Sequence, residues 1–371
     1  MPITREEATR ALAQVNHPDL KRPLADLEMI REVTLGTGDA VTVTVALGSF
    51  ISDYKVALAG EIKTVLTSTG ARSVEVVWDP TVLGREVADD DPVPEVKNIV
   101  LVMSGKGGVG KSTVAANLAM AYARAGGRVG LLDADIYGPS IPTMFGTSGR
   151  PSSPDGQSIE PLERFGIKLM SMGFLLEDPT AAVVWRGPML HGALLQFVKD
   201  VRWGALDYLV LDLPPGTGDI ALTLSQRVRS TGAVIVTTPQ EVALQDVYKS
   251  VSMCAKVGIP ILGVIENESY FICDGCSKRH ELFGSGGGQK IADFAKARLH
   301  AQIPIDATVR ASGDAGTPVV QAAPESSVAK ALTQAAARLA DQANLENLSR
   351  LGALRIDRSG GTGTLHLPIV R

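Results

Sequence analysis

The run Gly105-Lys106-Gly107-Gly108-Val109-Gly110-Lys111-Ser112 constrains this chain more than any other feature. A loop that wraps a phosphate needs glycine at its ends, so that the backbone can turn its N–H groups inward. It closes on Lys and then Ser or Thr, which serve phosphate and magnesium. Gly105, Gly110, Lys111 and Ser112 occupy those places. The setting agrees. Residues 99–103 (Ile-Val-Leu-Val-Met) read as a buried strand before the loop. Val114, Leu118, Ala121, Tyr122 and Ala125 recur at helical spacing after it, and Gly126-Gly127 ends the helix. A Gly-rich turn arising by chance does not bring strand, loop and helix together in this order.

Beyond the loop, 371 residues suffice for two domains. A formal net charge of -4 argues against broad non-specific nucleic-acid binding and leaves room only for a local basic patch. The first ten residues are polar and lack the apolar core of a signal peptide. No apolar run is long enough to cross a bilayer. Three cysteines do not make a disulfide framework, so a reducing, cytoplasmic setting is expected.

Residues 1–88 read as a small α+β domain: helix over 6–15, strands over 30–35 and 41–47, helix over 53–67 with Val56, Ile62 and Val65 apolar, strand over 74–78. Residues 89–97 are acidic and contain proline, which reads as a linker. From residue 98 to 343, apolar runs alternate with helices. The runs are 129–132, 208–211, 234–236, 261–265 and 302–305. The expected fold is α/β, a P-loop NTPase with a mostly parallel sheet covered by helices on both faces. Ligands of such sheets sit at the carboxyl ends of strands. An Ala-rich helix over 328–343 closes this part. Residues 344–371 read as a tail of unknown role, in which alternating Leu365, Leu367 and Ile369 fit a short strand.

Two acidic motifs end such runs. Asp212 precedes Leu213-Pro214-Pro215-Gly216-Thr217-Gly218-Asp219, where a carboxylate can reach magnesium and a following glycine can sense a γ-phosphate. In Asp133-Ala134-Asp135 one carboxylate can orient an attacking water, and Asp135 is the candidate; the competing reading is that both cap the next segment. Lys106 has no role in an ordinary P-loop. Its charge can reach across a dimer to the partner's nucleotide, as an arginine finger does, or can simply be solvated.

Cys273-Asp274-Gly275-Cys276 supplies two thiolates at a spacing that grips one soft metal site. Four-coordinate zinc or an iron–sulfur cluster needs more, and the chain has no second such pair. A twofold dimer would supply four thiolates at its axis. A structural zinc clamp, a redox pair and two unconnected cysteines remain open. His280 is a nearby ligand candidate of low weight, and Cys254 reads as core packing.

Taken in order, these motifs resemble the Mrp (ApbC) family of P-loop ATPases, iron–sulfur cluster carriers related to MinD, ParA and the nitrogenase iron protein. The resemblance spans about residues 98–325. It rests on residues 104–113, Asp133 to Ser140, Trp185-Arg186-Gly187-Pro188-Met189, residues 203–208, Asp212 to Asp219, Glu266-Asn267, the cysteine pair and Phe283 to Gly288. Residues 1–90 look like the small assembly-associated domain often fused ahead of these ATPases. The resemblance implies a homodimer that binds ATP and Mg2+ at Gly105, Lys106, Gly107, Gly108, Val109, Gly110, Lys111, Ser112 and Thr113, with Ser112 and Asp212 serving magnesium. Lys106 matches the signature lysine, and Asn267 stands where the class reads adenine. Cys273 and Cys276 match the pair that bridges a 4Fe-4S cluster for delivery to apo iron–sulfur proteins. Glu268 departs from the family's usual Met, and Ser277 from its common Gly. Zinc instead of the cluster, and a MinD- or ParA-like positioning ATPase acting on membrane or DNA, are the alternatives. The tail lacks the basic amphipathic helix that membrane binding requires, and neither a nucleic-acid nor a membrane partner is expected.

Overall fold

The computed structural model describes residues 3–135, 138–175, 187–216, 219–225 and 227–358. The N-terminal part runs α1 (Arg5–Leu12), β1 (Ile30–Leu35), β2 (Ala40–Ala46), α2 (Lys55–Ser68) and β3 (Ser73–Asp79). Its sheet has the order β1-β2-β3, the first pair antiparallel and the second parallel. Thr4 starts α1 with a capping box to Glu7. Leu58, Ile62 and Leu66 of α2 pack with Leu12, Leu24 and Val43 in one core. Val56, expected on that buried face, is 86% exposed, because the buried stripe runs through Leu58 instead.

Residues 89–97 are not a free tether. The Arg85 guanidinium and the Asp91 carboxylate form an ion pair buried on both sides, and Arg85 also donates to Val93 O at 3.0 Å. Val93 and Val96 are buried. The acidic residues that signal a linker in the sequence thus include one that clamps the segment down.

The larger part continues with β4 (Ile99–Met103), α3 (Lys111–Arg124), β5 (Val129–Asp133), α4 (Ile141–Met144), β6 (Leu162–Arg164), β7 (Ile167–Ser171), α5 (Gly187–Asp200), β8 (Tyr208–Asp212), α6 (Asp219–Ser225) and β9 (Gly232–Thr237). It ends with α7 (Glu241–Val257), β10 (Ile261–Ile272), β11 (Arg279–His280), α8 (Gly287–Ala295), β12 (Leu299–Ile305), α9 (Ala307–Asp314), α10 (Val319–Ala322) and α11 (Ser327–Arg358). Among the described residues nine strands form one sheet in the order β11-β10-β9-β4-β8-β5-β7-β6, with β12 also on β10. Among these strands only the β10–β11 and β6–β7 pairs are antiparallel. Apolar runs such as β4, β8 and β9 are buried throughout, as strands covered on both faces must be. Side chains of α3 and α11 fill the core on one face; those of α5, α7 and α8 fill it on the other.

Two boundaries differ from the sequence reading. β10 was expected to end at Ile265 and continues to Ile272, so the cysteine pair follows directly on the end of a strand, in a turn. The closing helix was expected to end at Ala343 and runs to Arg358. Asn344 and Asn347 look like the start of a polar tail, yet both are buried. Their amides donate to Leu47 O at 3.0 Å and Leu83 O at 3.3 Å, so this turn of helix holds the N-terminal part. The strand expected near Leu365, like Trp185, Arg186, Thr217 and Gly218, lies outside the described residues.

Candidate functional site

The phosphate loop joins β4 to α3 at the centre of the sheet. Two of its glycines are required by geometry. A Cβ on Gly105 would stand 2.4 Å from Val247 N of α7. Gly110, at φ +77°, starts α3, and a Cβ there would stand 2.1 Å from Asn267 Nδ2. The loop is thus pressed between α7 and the middle of β10, and its open side faces the N-terminus of α3, where backbone N–H groups attract anions.

Lys111 is buried and its Nζ lies 2.5 Å from Asp212 Oδ1. Asp212 ends β8 directly beside Asp133 at the end of β5, and both are fully buried. Burial pushes both carboxyls above the usual carboxylate range. For Asp133 the Asp212 charge adds to this, while the Lys111 ammonium opposes it for both. Among the described residues Asp212 Oδ2 is buried without a hydrogen bond. An orphaned carboxylate oxygen next to the phosphate loop fits magnesium, directly or through water. Asp133 takes the structural role weighed against catalysis: it accepts from Asp135 N at 3.1 Å, Ile141 N at 3.2 Å and Ser171 Oγ at 3.1 Å. Asp135 is buried beside it and remains the candidate for water. Ser104 O accepts from Gly216 N at 3.1 Å, which ties the loop after Asp212 to the base of the phosphate loop. Lys106 Nζ donates to Val242 O in the first turn of α7, at 2.6 Å within its own chain.

Asn267 is buried and donates from Nδ2 to Val109 O of the phosphate loop at 3.0 Å. Beside it opens a cavity of about 530 Å³, lined by Gly110, Thr113, Asn267, Glu268, Pro304 and Asp306 among others. That volume suits a small-molecule site. Glu268 and the Pro304–Asp306 corner were not singled out for this cavity from the sequence. The rule that ligands gather at carboxyl ends of strands, applied to β12, would have found the corner. Glu266 is fully buried and accepts from Ser269 Oγ at 2.6 Å, Gln302 Nε2 at 2.8 Å and Gly288 N, joining β10, β12 and the start of α8.

The cysteine pair occupies the turn of the β10–β11 hairpin, six residues beyond Asn267. Cys273 is half-buried and Cys276 exposed. Backbone N–H groups of Cys276 and Gly275, then the Cys276 side chain, hold the Cys273 thiol below its ordinary pKa, which favours a metal-binding thiolate. Among the described residues no group of three or more His, Cys, Asp or Glu could hold a metal, so His280 does not complete a site within one chain. Ser277 sits at φ +57°, a left-handed position that explains why glycine suits it. Exposed Ile272, Leu282 and Phe283 rim the hairpin. Cys254 is a core thiol, pushed up to about 11 by burial, with Sγ 3.6 Å from Met103 Sδ.

Residues 95–340 match the family of NUBPL iron-transfer P-loop NTPases, and residues 5–78 match the iron-sulfur cluster assembly protein family. The iron-sulfur cluster carrier protein of Synechocystis sp. is 45% identical over 93% of this chain and 99% of its own length. The chain belongs to the iron-transfer P-loop NTPase family. Among solved structures, the nucleotide-binding protein of Archaeoglobus fulgidus in complex with ADP is 43% identical, with a TM-score of 0.54 over 62% of this chain and 92% of that one. The cell division ATPase MinD of Pyrococcus furiosus shares the fold at 24% identity and a TM-score of 0.50, covering 65% of this chain and 98% of that one. No helix among the described residues is long and apolar enough to cross a membrane.

Proposed function

We propose that this protein is a nucleotide-gated iron–sulfur cluster carrier. Two copies hold one 4Fe-4S cluster between the Cys273 and Cys276 thiolates of each, and pass it to apo-proteins. The observation that carries this reading is strand β10. Its middle touches the phosphate loop through Asn267, and its end carries a thiol pair that, among the described residues, has no further metal ligands in its own chain. Soft thiolates suit an iron–sulfur cargo. The exposed apolar rim of Ile272, Leu282 and Phe283 suits burial against a second copy.

ATP binds with its phosphates in the Gly105–Thr113 loop and its base in the cavity beside Asn267. Ser112 and Asp212 would hold magnesium, which when bound neutralises charge on the phosphate oxygens. Lys111 leaves its ion pair with Asp212 for the phosphates. Asp135 orients the attacking water. Lys106 of one copy, released from Val242 O, stabilises charge at the other copy's nucleotide. Hydrolysis is slow, serving as a switch. Because Asn267 and the hairpin share β10, a shift of Asn267 with nucleotide state moves the hairpin that grips the cluster.

Anaerobic purification and reconstitution with iron and sulfide tests this. The expected product is a dimer with a broad visible absorption near ~400 nm and about two cluster thiolates per chain. Cys276→Ala should abolish loading while the fold persists. Lys111→Ala should load and fail to deliver. A colourless dimer holding about one zinc would make the thiol pair structural instead.

A further inference from the structure

Glu268 has no part in the proposed function so far, and the structure gives it a place. The residue lines the 530 Å³ cavity directly after Asn267. It is held at φ +51°, within the stretch where the β10–β12 register shifts. Its carboxyl is half-buried, and burial raises its pKa. Among the described residues no hydrogen bond or ion pair engages it. The other charged groups of the cavity are committed. Asp306 Oδ1 accepts from Thr308 N at 2.7 Å, and Arg310 pairs with Asp314 at 3.0 Å. Asn267 spends an amide hydrogen on Val109 O, which leaves its Oδ1 as an acceptor.

We propose that Glu268 reads position six of the purine, accepting a hydrogen bond from the exocyclic amine of adenine and excluding the keto oxygen of guanine. This rests on the cavity being the nucleoside pocket of the proposed function. An exocyclic amine offers two hydrogens, and the neighbouring Asn267 Oδ1 and Glu268 carboxylate offer two acceptors. A keto oxygen there would face the Glu268 carboxylate, which has no hydrogen to offer it, and two facing acceptors in a cavity are strongly disfavoured.

The test is equilibrium binding of ATP, GTP and ITP to the full chain with magnesium, in wild type, Glu268→Gln and Glu268→Met. ITP differs from ATP at the six-position edge and lacks the two-amine of GTP. Wild type should prefer ATP to ITP and GTP by about tenfold or more. Glu268→Gln should narrow that gap by strengthening ITP and GTP, because a rotated amide donates to the keto oxygen. Glu268→Met should narrow it by weakening ATP. The ratio of ADP to ATP affinity should stay constant in all three proteins, since the phosphate loop is untouched. An ATP-to-ITP ratio unchanged in both variants overturns the proposal. So does a wild type that binds GTP more tightly than ITP and ATP, which would turn the carboxylate toward the guanine N1 and N2 hydrogens. A wild-type chain that binds none of the three overturns the nucleotide-site reading itself, and this proposal with it.

Discussion

At the scale of single residues, the phosphate loop stores its charge in a buried triad. Lys111 stands between the nucleotide it would serve and Asp212, with Asp133 alongside. Truncating Lys111 removes the proposed phosphate ligand and also strands a buried carboxylate. Lys111→Ala should therefore lower the stability of the nucleotide-free chain by about 3 kcal/mol, the usual scale for breaking a buried pair from one side. Adding Asp212→Asn should restore more than half of that loss while nucleotide binding stays absent. Urea midpoints of wild type, single and double variant decide it. A double variant no more stable than the single one would show that the loss comes from packing and not from uncompensated charge.

At the scale of elements, Glu266 joins β10, β12 and α8 with one side chain. Glu266→Ala leaves Ser269, Gln302 and the Gly288 N–H without their shared acceptor, and opens space at a site where Gly288 already packs against the Glu266 Cβ. A loss of about 2–4 kcal/mol is expected. Faster amide exchange should appear in α8 and β12 and leave β4 and β5 unchanged. Exchange raised equally across the sheet would mean that Glu266 does not join these elements specifically. The sequence made β4, β8 and β9 legible because strands buried on both faces are continuous apolar runs. It hid the far half of β10, where Glu266 and Asn267 interrupt that pattern to make hydrogen bonds and Glu268 to line the cavity. It also hid β6 at the sheet edge and β7 beside it, where Glu163, Arg164 and Lys168 stand in strands. The phosphate loop and the thiol pair were readable as local spacings. The cavity was not, because Gly110, Asn267 and Pro304 come from three separate elements.

At the scale of the whole molecule, α11 packs against β12 and α3 and carries the N-terminal part on its turns from Arg338 to Asn347. The contacts are polar and partly sheltered. Asp19 pairs with Arg298 at 2.8 Å, Arg338 with Asp53 at 2.8 Å, and Asp341 accepts from Asp53 N at 2.9 Å. Asp341 is buried with Oδ1 unpartnered. Burial first, then the nearby Asp53 and Asp19 charges, raises its pKa from 3.8 to about 7, against the Ser52 hydroxyl and the Asp53 N–H. The folded-state pKa therefore lies above the unfolded one. Between these two values the folded chain keeps a proton that the unfolded chain has released. The stabilising contribution is complete below the unfolded pKa and is lost as pH rises through the folded one, at up to about 1.4 kcal/mol per pH unit. Asp341→Asn keeps an acceptor for Asp53 N–H and cannot ionise, so its stability should fall less steeply over this window. Asp133 shifts in the same direction in both proteins, so the difference between the two slopes isolates Asp341. Urea unfolding at several pH values between 4 and 8 measures it. Parallel slopes would remove Asp341 as a titrating group. A shallower slope in Asp341→Asn would mean that the attachment of the N-terminal part to α11 loosens as pH rises toward neutrality, leaving a joint held by the two arginine pairs and the amides of Asn344 and Asn347.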